Sequence, residues 1–597
     1  MKKIFKNISI WAILIVVASC KQDFLETEPS TEFSESAVWG DPALVETFIN
    51  QIYFRLDEPL SDGRMKSNLV DESHYRGNAA SLDFNNCVIT QDNLPAWSSA
   101  SRYRGWADLY KSIRYCNIFF KMVDEVPFGN DLIDGKSQKD RMTGEVHFLR
   151  AYLYHLLTSV YGGVPLITEV YGLDDDFSIE RDSYAACVDF MIDECNKAAE
   201  LLPEVNTGAN LGRATKGAAL ALKSRILLYA ASDLFNTPVF SGYSHPELVG
   251  YTSGNRTERW QAAKDAAKAV IDLNLYGLYK AEPGPSDSVA QNITEVFLSK
   301  TTEEDIFIKY FTTPMAQNFG LYSSPNGYHG WGTNAPIAEL VDAFEMADGT
   351  KFNWNNATEA ATPYNNREPR FYATILYNEA PWRERPNDVK GIDPNNKVQT
   401  GKWQKWDSKT NSMVEVFGVD TRKSTIEDWN GSYTGYYVRK YIDPAVDAQY
   451  IKQSLTWRFI RYAEVLLNYA EACIELGQDG EARTYINKIR TRAGLPAVTE
   501  SGIALRERYR NERRVELAFE DHRFYDVRRW VIGPEAYKPI HIADVVYKLN
   551  PDHTTATVPT VRHVNFENHS WNDKAYFLPF MRDELNKNNK LIQNPGY

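Results

Sequence analysis

The chain has 597 residues, of which 43% are apolar and 24% charged, with a formal charge of −13 at neutral pH. That balance is ordinary for a folded chain and argues against a nucleic-acid partner, because neutralising phosphates needs a basic surface. Aromatic residues reach 13%, with 35 Tyr and 14 Trp, and this excess needs a place in the structure.

In chain order, Lys2, Lys3 and Lys6 precede an apolar run, Ile8 to Ala18. The run falls short of the roughly 20 residues that span a bilayer and suits a signal peptide over residues 1–19. Val17-Ala18-Ser19-Cys20 resembles a bacterial lipobox, which implies cleavage before Cys20 and acylation of its sulfur. Several acyl chains on one cysteine anchor a protein stably where a single chain does not. No later apolar run approaches 18 residues, so the chain reads as anchored rather than spanning. Cys87, Cys116, Cys187, Cys195 and Cys473 are odd in number and lack CxxC spacing, which supports neither a zinc site nor a disulfide framework. Four of them lie in helical patterns and read as small buried hydrophobes; one disulfide remains open.

Trp106 to Val126 is predicted helical, with Leu109, Ile113, Cys116, Phe120 and Val123 on one face and Trp106 in the core. Asp140 to Tyr161 is a second helix, ended by Gly162-Gly163. Ser183 to Leu202 and Lys216 to Phe235 form a hairpin, and Trp260 to Leu273 adds an Ala-rich helix. This recurrence predicts irregular tetratricopeptide-like pairs stacked as a curved wall. Between residues 280 and 450 Gly, Pro, Asn, Trp and Tyr rise and long helices vanish, apart from a short one expected within residues 334–349.

From Trp457 helical periodicity returns. Val465, Leu466, Tyr469, Cys473 and Leu476 share one face; Gly477 stops that helix, and Glu481 to Arg492 starts the next. Ala470 and Ala482 place small residues where two antiparallel helices would cross. A third helix is expected from Arg510 to Arg529, dense in Arg, Glu and Asp. Composition alone favours a solvated charged face, with pairs three or four residues apart. The sharper alternative is a network that locks this segment onto the hairpin.

The hairpin followed by RNERRVELAFEDHRFYDVRRW resembles the carboxy-terminal signature of the SusD/RagB family, surface glycan-binding lipoproteins. GEVHFLRAYLYHLLTSVYGGVPLI, NAPIAELVDAFEMADG and the closing YFLPFMRDELNKNNKLIQNPGY are similar to the same family in the same order. Lys21 to Glu26 also resembles the start of mature family members, with early acidic residues that suggest surface export. The resemblance implies a mainly α fold of tetratricopeptide-like hairpins with a loop-rich insert carrying short strands. It divides the chain into a signal peptide (1–19), an amino-terminal helical region (20–280) and a carboxy-terminal region (281–597) that holds the insert (281–450) and closing helices. It further implies capture of oligosaccharide or polysaccharide at the outer-membrane surface, a lipid anchor on Cys20, and delivery to a SusC-like TonB-dependent transporter. An oligopeptide-binding RagB-like member and a surface glycosidase are the alternatives.

No GxSxG, HExxH, P-loop or strand-flanked GxGxxG motif occurs. His147 and His155 are too far apart on one helix to share a metal. Neither a cofactor nor a metal site is expected, and no catalytic residue. Sugar recognition needs aromatic faces and a few polar groups in loops. Tyr322, Tyr328, His329 and Trp331 lie in the non-periodic GLYSSPNGYHGWG. Asp71, His74, Tyr75, Arg76, Asn78, Trp97, Arg102 and Tyr103 lie in a second polar stretch. In family members, loops at these two places line the glycan site, so both sets are candidates; each aromatic has the alternative of packing beneath its loop. Trp403 and Trp406 suggest a strand face or a second exposed patch, with Trp354 and Trp382 as outliers.

Overall fold

The computed structural model describes residues 35–76, 79–94, 104–172, 174–313 and 315–597. Cys20, Asn78, Trp97, Arg102 and Tyr103, and with them the expected signal peptide and anchor, lie outside these residues.

The long helices are α1 (Pro42–Phe54), α2 (Trp106–Met122), α3 (Gln138–Tyr161), α4 (Tyr184–Leu201), α5 (Lys216–Ala231), α6 (Arg256–Ile271), α7 (Val289–Leu298), α8 (Tyr462–Glu475), α9 (Asp479–Arg492), α10 (Gly502–Glu516) and α11 (Arg523–Arg529). Short polar side chains define several starts. Ser137, Ser183 and Thr215 accept from the backbone N–H three residues on, and Asn255 from the one two residues on, which satisfies donors that have no helical partner.

The helices pack in succession, α3 on α4, α4 on α5, α5 on α6, α6 on α8 and α8 on α9, which is the expected wall of hairpins. α3 is its centre, with Phe148, Leu149, Tyr152, Leu153 and Leu157 buried. On α5, Ala218, Ala219 and Ala221 are buried and let the neighbouring helices approach closely. Ala470 and Ala482 are likewise fully buried, as expected at the α8–α9 contact. Cys87, Cys116, Cys187, Cys195 and Cys473 are buried free thiols.

Strands are few. β1 (Ser73–Tyr75) pairs antiparallel with β3 (Asn334–Pro336), His74 opposite Ala335. β2 (Asp305–Phe311) pairs with β6 (Leu455–Arg461), all of whose residues are buried and which feeds straight into α8. β4 (Lys402–Asp407), β5 (Ser412–Phe417), β7 (Ile540–Tyr547) and β8 (Thr560–Glu567) make one sheet in the order β8-β7-β4-β5. The main apolar core extends from Trp39 to Leu591 and takes in Phe319, Leu340, Phe344 and Phe371 of the insert, with smaller clusters beside it. The fold is mainly helical, as expected.

The acid- and arginine-rich stretch departs from the single exposed helix. It breaks into α10 and α11, and Phe519 and Asp521 between them adopt left-handed φ of 59° and 65°. Its charges are inside. Arg513 and Arg529 ion-pair with Asp526, and Arg529 also with Glu471. Glu512 holds Arg370 and Arg490, Glu516 holds Arg461 and Arg492, and Glu520 holds Arg461 and Lys440. These partners come from the hairpin, from β6 and from the insert, which composition could not supply. Such a network fixes geometry more than it adds net stability, because desolvating the ions offsets their attraction.

Candidate functional site

The root of β1 is tied to this network. Arg523 donates two hydrogen bonds of 2.8 Å to the Asp71 carboxylate, and Arg514 donates to the Asp71 carbonyl at 2.6 Å. Lys66 N–H donates to Asp521 at 2.9 Å, and Tyr537 Oη donates to the Leu69 carbonyl at 2.5 Å. The segment 66–72 is thus clamped from below, and the chain then rises along β1 to the surface.

Past β1 the edge continues into the loop 319–333. Arg76 N–H donates to the Thr333 carbonyl at 2.9 Å, and Thr333 N–H to the Tyr322 carbonyl at 2.8 Å. The glycines of this loop have specific work. A Cβ on Gly330 would lie 2.2 Å from the Ser324 carbonyl oxygen. At Gly332, φ is +49° and a Cβ would lie 2.8 Å from the Asn430 carbonyl oxygen. No other residue fits either position without movement. Asn326 fastens the loop to a second one, donating to the Ile426 carbonyl at 2.7 Å and accepting from Tyr437 Oη at 2.9 Å. The loops that carry Trp331 and Trp429 are thereby joined, and their junction makes the candidate face.

On that face Trp331 is 36% and Trp429 62% exposed. Tyr322 meets the Trp331 ring edge-on, centroids 4.7 Å apart. Tyr75 and Tyr322 are half-buried. Arg76 and Arg422 both donate to the Trp429 carbonyl, and the Arg422 guanidinium lies 4.0 Å from the Tyr433 ring centre. His74 sits edge-to-face between Tyr433 and Phe566, at 5.4 and 5.2 Å, with Glu567 3.7 Å away. Burial would push the Glu567 carboxyl up, but the hydrogen bond with His569 and the nearby His74 outweigh it and hold the group at about 2.

Eight of the candidates named from sequence can therefore be placed, all but Asn78, Trp97, Arg102 and Tyr103. His74, Tyr75, Arg76, Tyr322 and Trp331 gather around this junction, with His74 turned to Tyr433 and Phe566 and Tyr75, the next residue of the strand, to the opposite side near Tyr322. Tyr328 does not: it is 1% exposed, beneath the Arg385 guanidinium at 4.1 Å. Arg385 is itself held by Asp393 and Asp420. His329, at φ 59°, is clasped by Glu427 at 2.9 Å and Asp388 at 3.3 Å. Although burial disfavours its charged form, these two carboxylates raise its pKa; it shapes the loop rather than offering a ring face. Asp71 also stands corrected, since its carboxylate is buried on Arg514 and Arg523. Trp97 lies outside the described residues.

Trp429, Arg422 and Tyr433 belong to the face and are not among the sequence candidates. Their signal was the non-periodic Asp428-Trp429-Asn430-Gly431-Ser432-Tyr433, in which aromatics sit among turn residues as they do around Trp331. Trp403 and Trp406 do lie on a strand, β4, stacked on Tyr547 and His553. Trp354 packs against Phe352 and His563. Among the described residues no group of His, Cys, Asp and Glu has the geometry to hold a metal ion.

With the geometry in place, comparison with known proteins is informative. The solved structure of a SusD-like protein from Bacteroides fragilis matches with a TM-score of 0.73 at 30% identity, over 95% of this chain and 99% of its own. Surface glycan-binding protein A from Bacteroides thetaiotaomicron, solved with laminarihexaose, shares the fold at a TM-score of 0.58 and 17% identity, over 92% of this chain and 98% of its own. A SusD-like protein of Formosa agariphila is 23% identical over 563 residues, 91% of this chain and 94% of its own length. A family model described as "Starch-binding associating with outer membrane" matches residues 23–228. Another, described as the SusD family, matches residues 296–597, and the chain belongs to that family.

Proposed function

We propose that this protein captures glycans at the outer-membrane surface by non-covalent stacking and hydrogen bonding. The observation that carries the reading is the pair of exposed indoles, Trp331 and Trp429, on adjoining loops joined at Gly332. Around them Tyr75, Tyr322 and Tyr433 add ring surface, and Arg76 and Arg422 add N–H donors. A pyranose presents an apolar face to an aromatic ring and hydroxyls at its rim, which is what this arrangement complements. Several SusD-family relatives are described as glycan-binding, which supports the assignment. Binding per sugar is weak on this account and is increased by multiple contacts along a polymer.

The finer parts of the proposal are a lipid anchor on Cys20 after removal of residues 1–19, and hand-over of the bound glycan to a SusC-like TonB-dependent transporter. Catalysis has no part in it. The test is calorimetry of the mature chain against polysaccharides and mixed peptides, with reducing-end release assayed in the same samples. Heat with a glycan and no new reducing ends supports the reading. Heat with peptides alone moves the assignment to an oligopeptide carrier, and new reducing ends would make the protein a glycosidase.

A further inference from the structure

The face holds two cations without a counter-ion. Arg76 and Arg422 lie side by side and converge on the Trp429 carbonyl; Arg422 adds one bond to the Gly431 carbonyl. Neither forms an ion pair with a carboxylate of the described residues. A guanidinium carries five N–H donors, so most of the donors of this pair are unused, and Arg76 Nε is shielded from solvent with no partner.

Most arginines of the fold meet a carboxylate; Arg439 also lacks one and leaves Nε buried without a partner, but it donates alone to the Tyr372 carbonyl rather than sharing it with a second guanidinium. In a protein with 79 acidic residues, Arg513, Arg514, Arg523 and Arg529 of the signature sit on carboxylates, and Arg528 donates to the Phe524 and Ala575 carbonyls. Where a buried arginine lacks one, carbonyls replace it: Arg367 donates to those of Pro363, Val341 and Phe344, and Arg181 to those of Gly163, Ile592 and Tyr161. Around Arg76 and Arg422 the acids are already engaged. Asp62 holds Arg64, Glu427 holds His329 and Asn430, Asp428 accepts from the Trp429 N–H, and Glu567 holds His569. Burial and the neighbouring Arg422 charge both lower the pKa of Arg76, as expected for two like charges that share a carbonyl and no carboxylate.

We propose that Arg76 and Arg422 form an anion-recognition pair on this face, and that its ligand is an acidic polysaccharide with carboxylate or sulfate groups on its rings. This rests on the glycan-binding reading above and narrows it. The planar guanidinium fork suits either anion bidentately. Trp331 and Trp429 would stack the ring while the anion settles on the pair.

The test is calorimetry of the mature chain with four polymers: polygalacturonate, its carboxyl-reduced form, a sulfated galactan, and that galactan desulfated. Laminarin serves as a neutral reference. The expected result is binding of at least one acidic polymer, weakened about tenfold or more when its anions are removed and by a similar factor in each of Arg76→Gln and Arg422→Gln. Arg76→Lys and Arg422→Lys should recover part of that loss, and affinity should fall as salt rises. Response to polygalacturonate alone assigns a uronate; response to the sulfated galactan alone assigns a sulfate ester. The proposal is overturned if no acidic polymer binds, or if the acidic and neutral forms bind alike, or if the Arg76→Gln/Arg422→Gln double variant matches the wild type. In those cases, loss of laminarin binding in Trp429→Ala would leave the glycan face standing. Unchanged glycan binding in Trp331→Ala/Trp429→Ala would remove the face itself. Should Arg76→Gln fail to fold, Arg422→Gln and the salt dependence decide the matter.

Discussion

Arg523 grips the Asp71 carboxylate through two hydrogen bonds of 2.8 Å, across 452 residues of chain. Asp71 stands two residues before β1, the strand that carries His74 and Tyr75 and leads to Arg76. The carboxy-terminal signature thus serves as the foundation of the face, and the charges that look like a solvated helix surface are the bolts between the two ends of the molecule.

Removing the acid should show this. Asp71→Asn leaves the buried Arg523 and the half-buried Arg514 without their carboxylate, which for a broken buried pair costs about 3–5 kcal/mol. The urea midpoint should fall accordingly, and affinity for glycan should fall with it because β1 loses its anchor. Unchanged stability would show that the clamp carries no weight.

The same network makes an acid-stability prediction. Burial pushes Asp71 and Glu471 up, but Arg514 and Arg523 in the first case and Arg529 in the second outweigh it, leaving both at about 2. Their folded values lie below their unfolded values, roughly 4. The stabilisation is therefore present above pH 4 and lost as pH falls from about 4 to about 2. Tm should decline steeply across that window; a flat Tm between pH 5 and 2.5 contradicts it.

Glu72 behaves in the opposite sense. It is 1% exposed, both carboxyl oxygens lack a partner, and burial with the adjacent Asp71 charge raises it to about 8. With a folded value above the unfolded one, its contribution is present below about pH 4 and lost as pH rises through 8. Glu72→Gln keeps the shape and removes the titration. Its Tm relative to the wild type should rise between pH 5 and pH 9, and a constant difference would argue against a neutral Glu72.

Exposed and buried aromatics of one loop should separate cleanly. Trp331→Ala and Trp429→Ala should weaken glycan binding about tenfold or more with little change in Tm. Tyr328→Ala, which empties a buried site under Arg385, should cost about 3–5 kcal/mol of stability. Equal effects of all three on Tm would place the indoles in the core instead.

The helical wall was legible because three- and four-residue periodicity survives in a single sequence, and most helix ends fell within a few residues of the predicted ones, although the helix expected from Arg510 begins at Gly502 and stops at Glu516. The Trp260 to Leu273 helix starts four residues earlier, at Arg256, where Asn255 caps it. What periodicity could not reveal is which partner a charge meets. Arg461, Arg490 and Arg492 approach Glu304, Glu345, Glu512 and Glu516 only through tertiary contact, so the signature looked exposed. The loops around Trp331 were legible as loops from their glycines. Tyr328 nevertheless turned inward, because sequence spacing in an irregular loop does not set side-chain direction. Asp71 was grouped with His74 by proximity, although the chain crosses from core to surface between them. Trp429 required knowing that Gly332 packs on the Asn430 carbonyl.

The most direct test of the central claim is a structure of the mature chain with a bound oligosaccharide from whichever polymer gives heat. The account predicts sugar rings stacked on Trp331 or Trp429 with polar groups at Arg76 and Arg422. Sugar seated elsewhere, with this face empty, would contradict it.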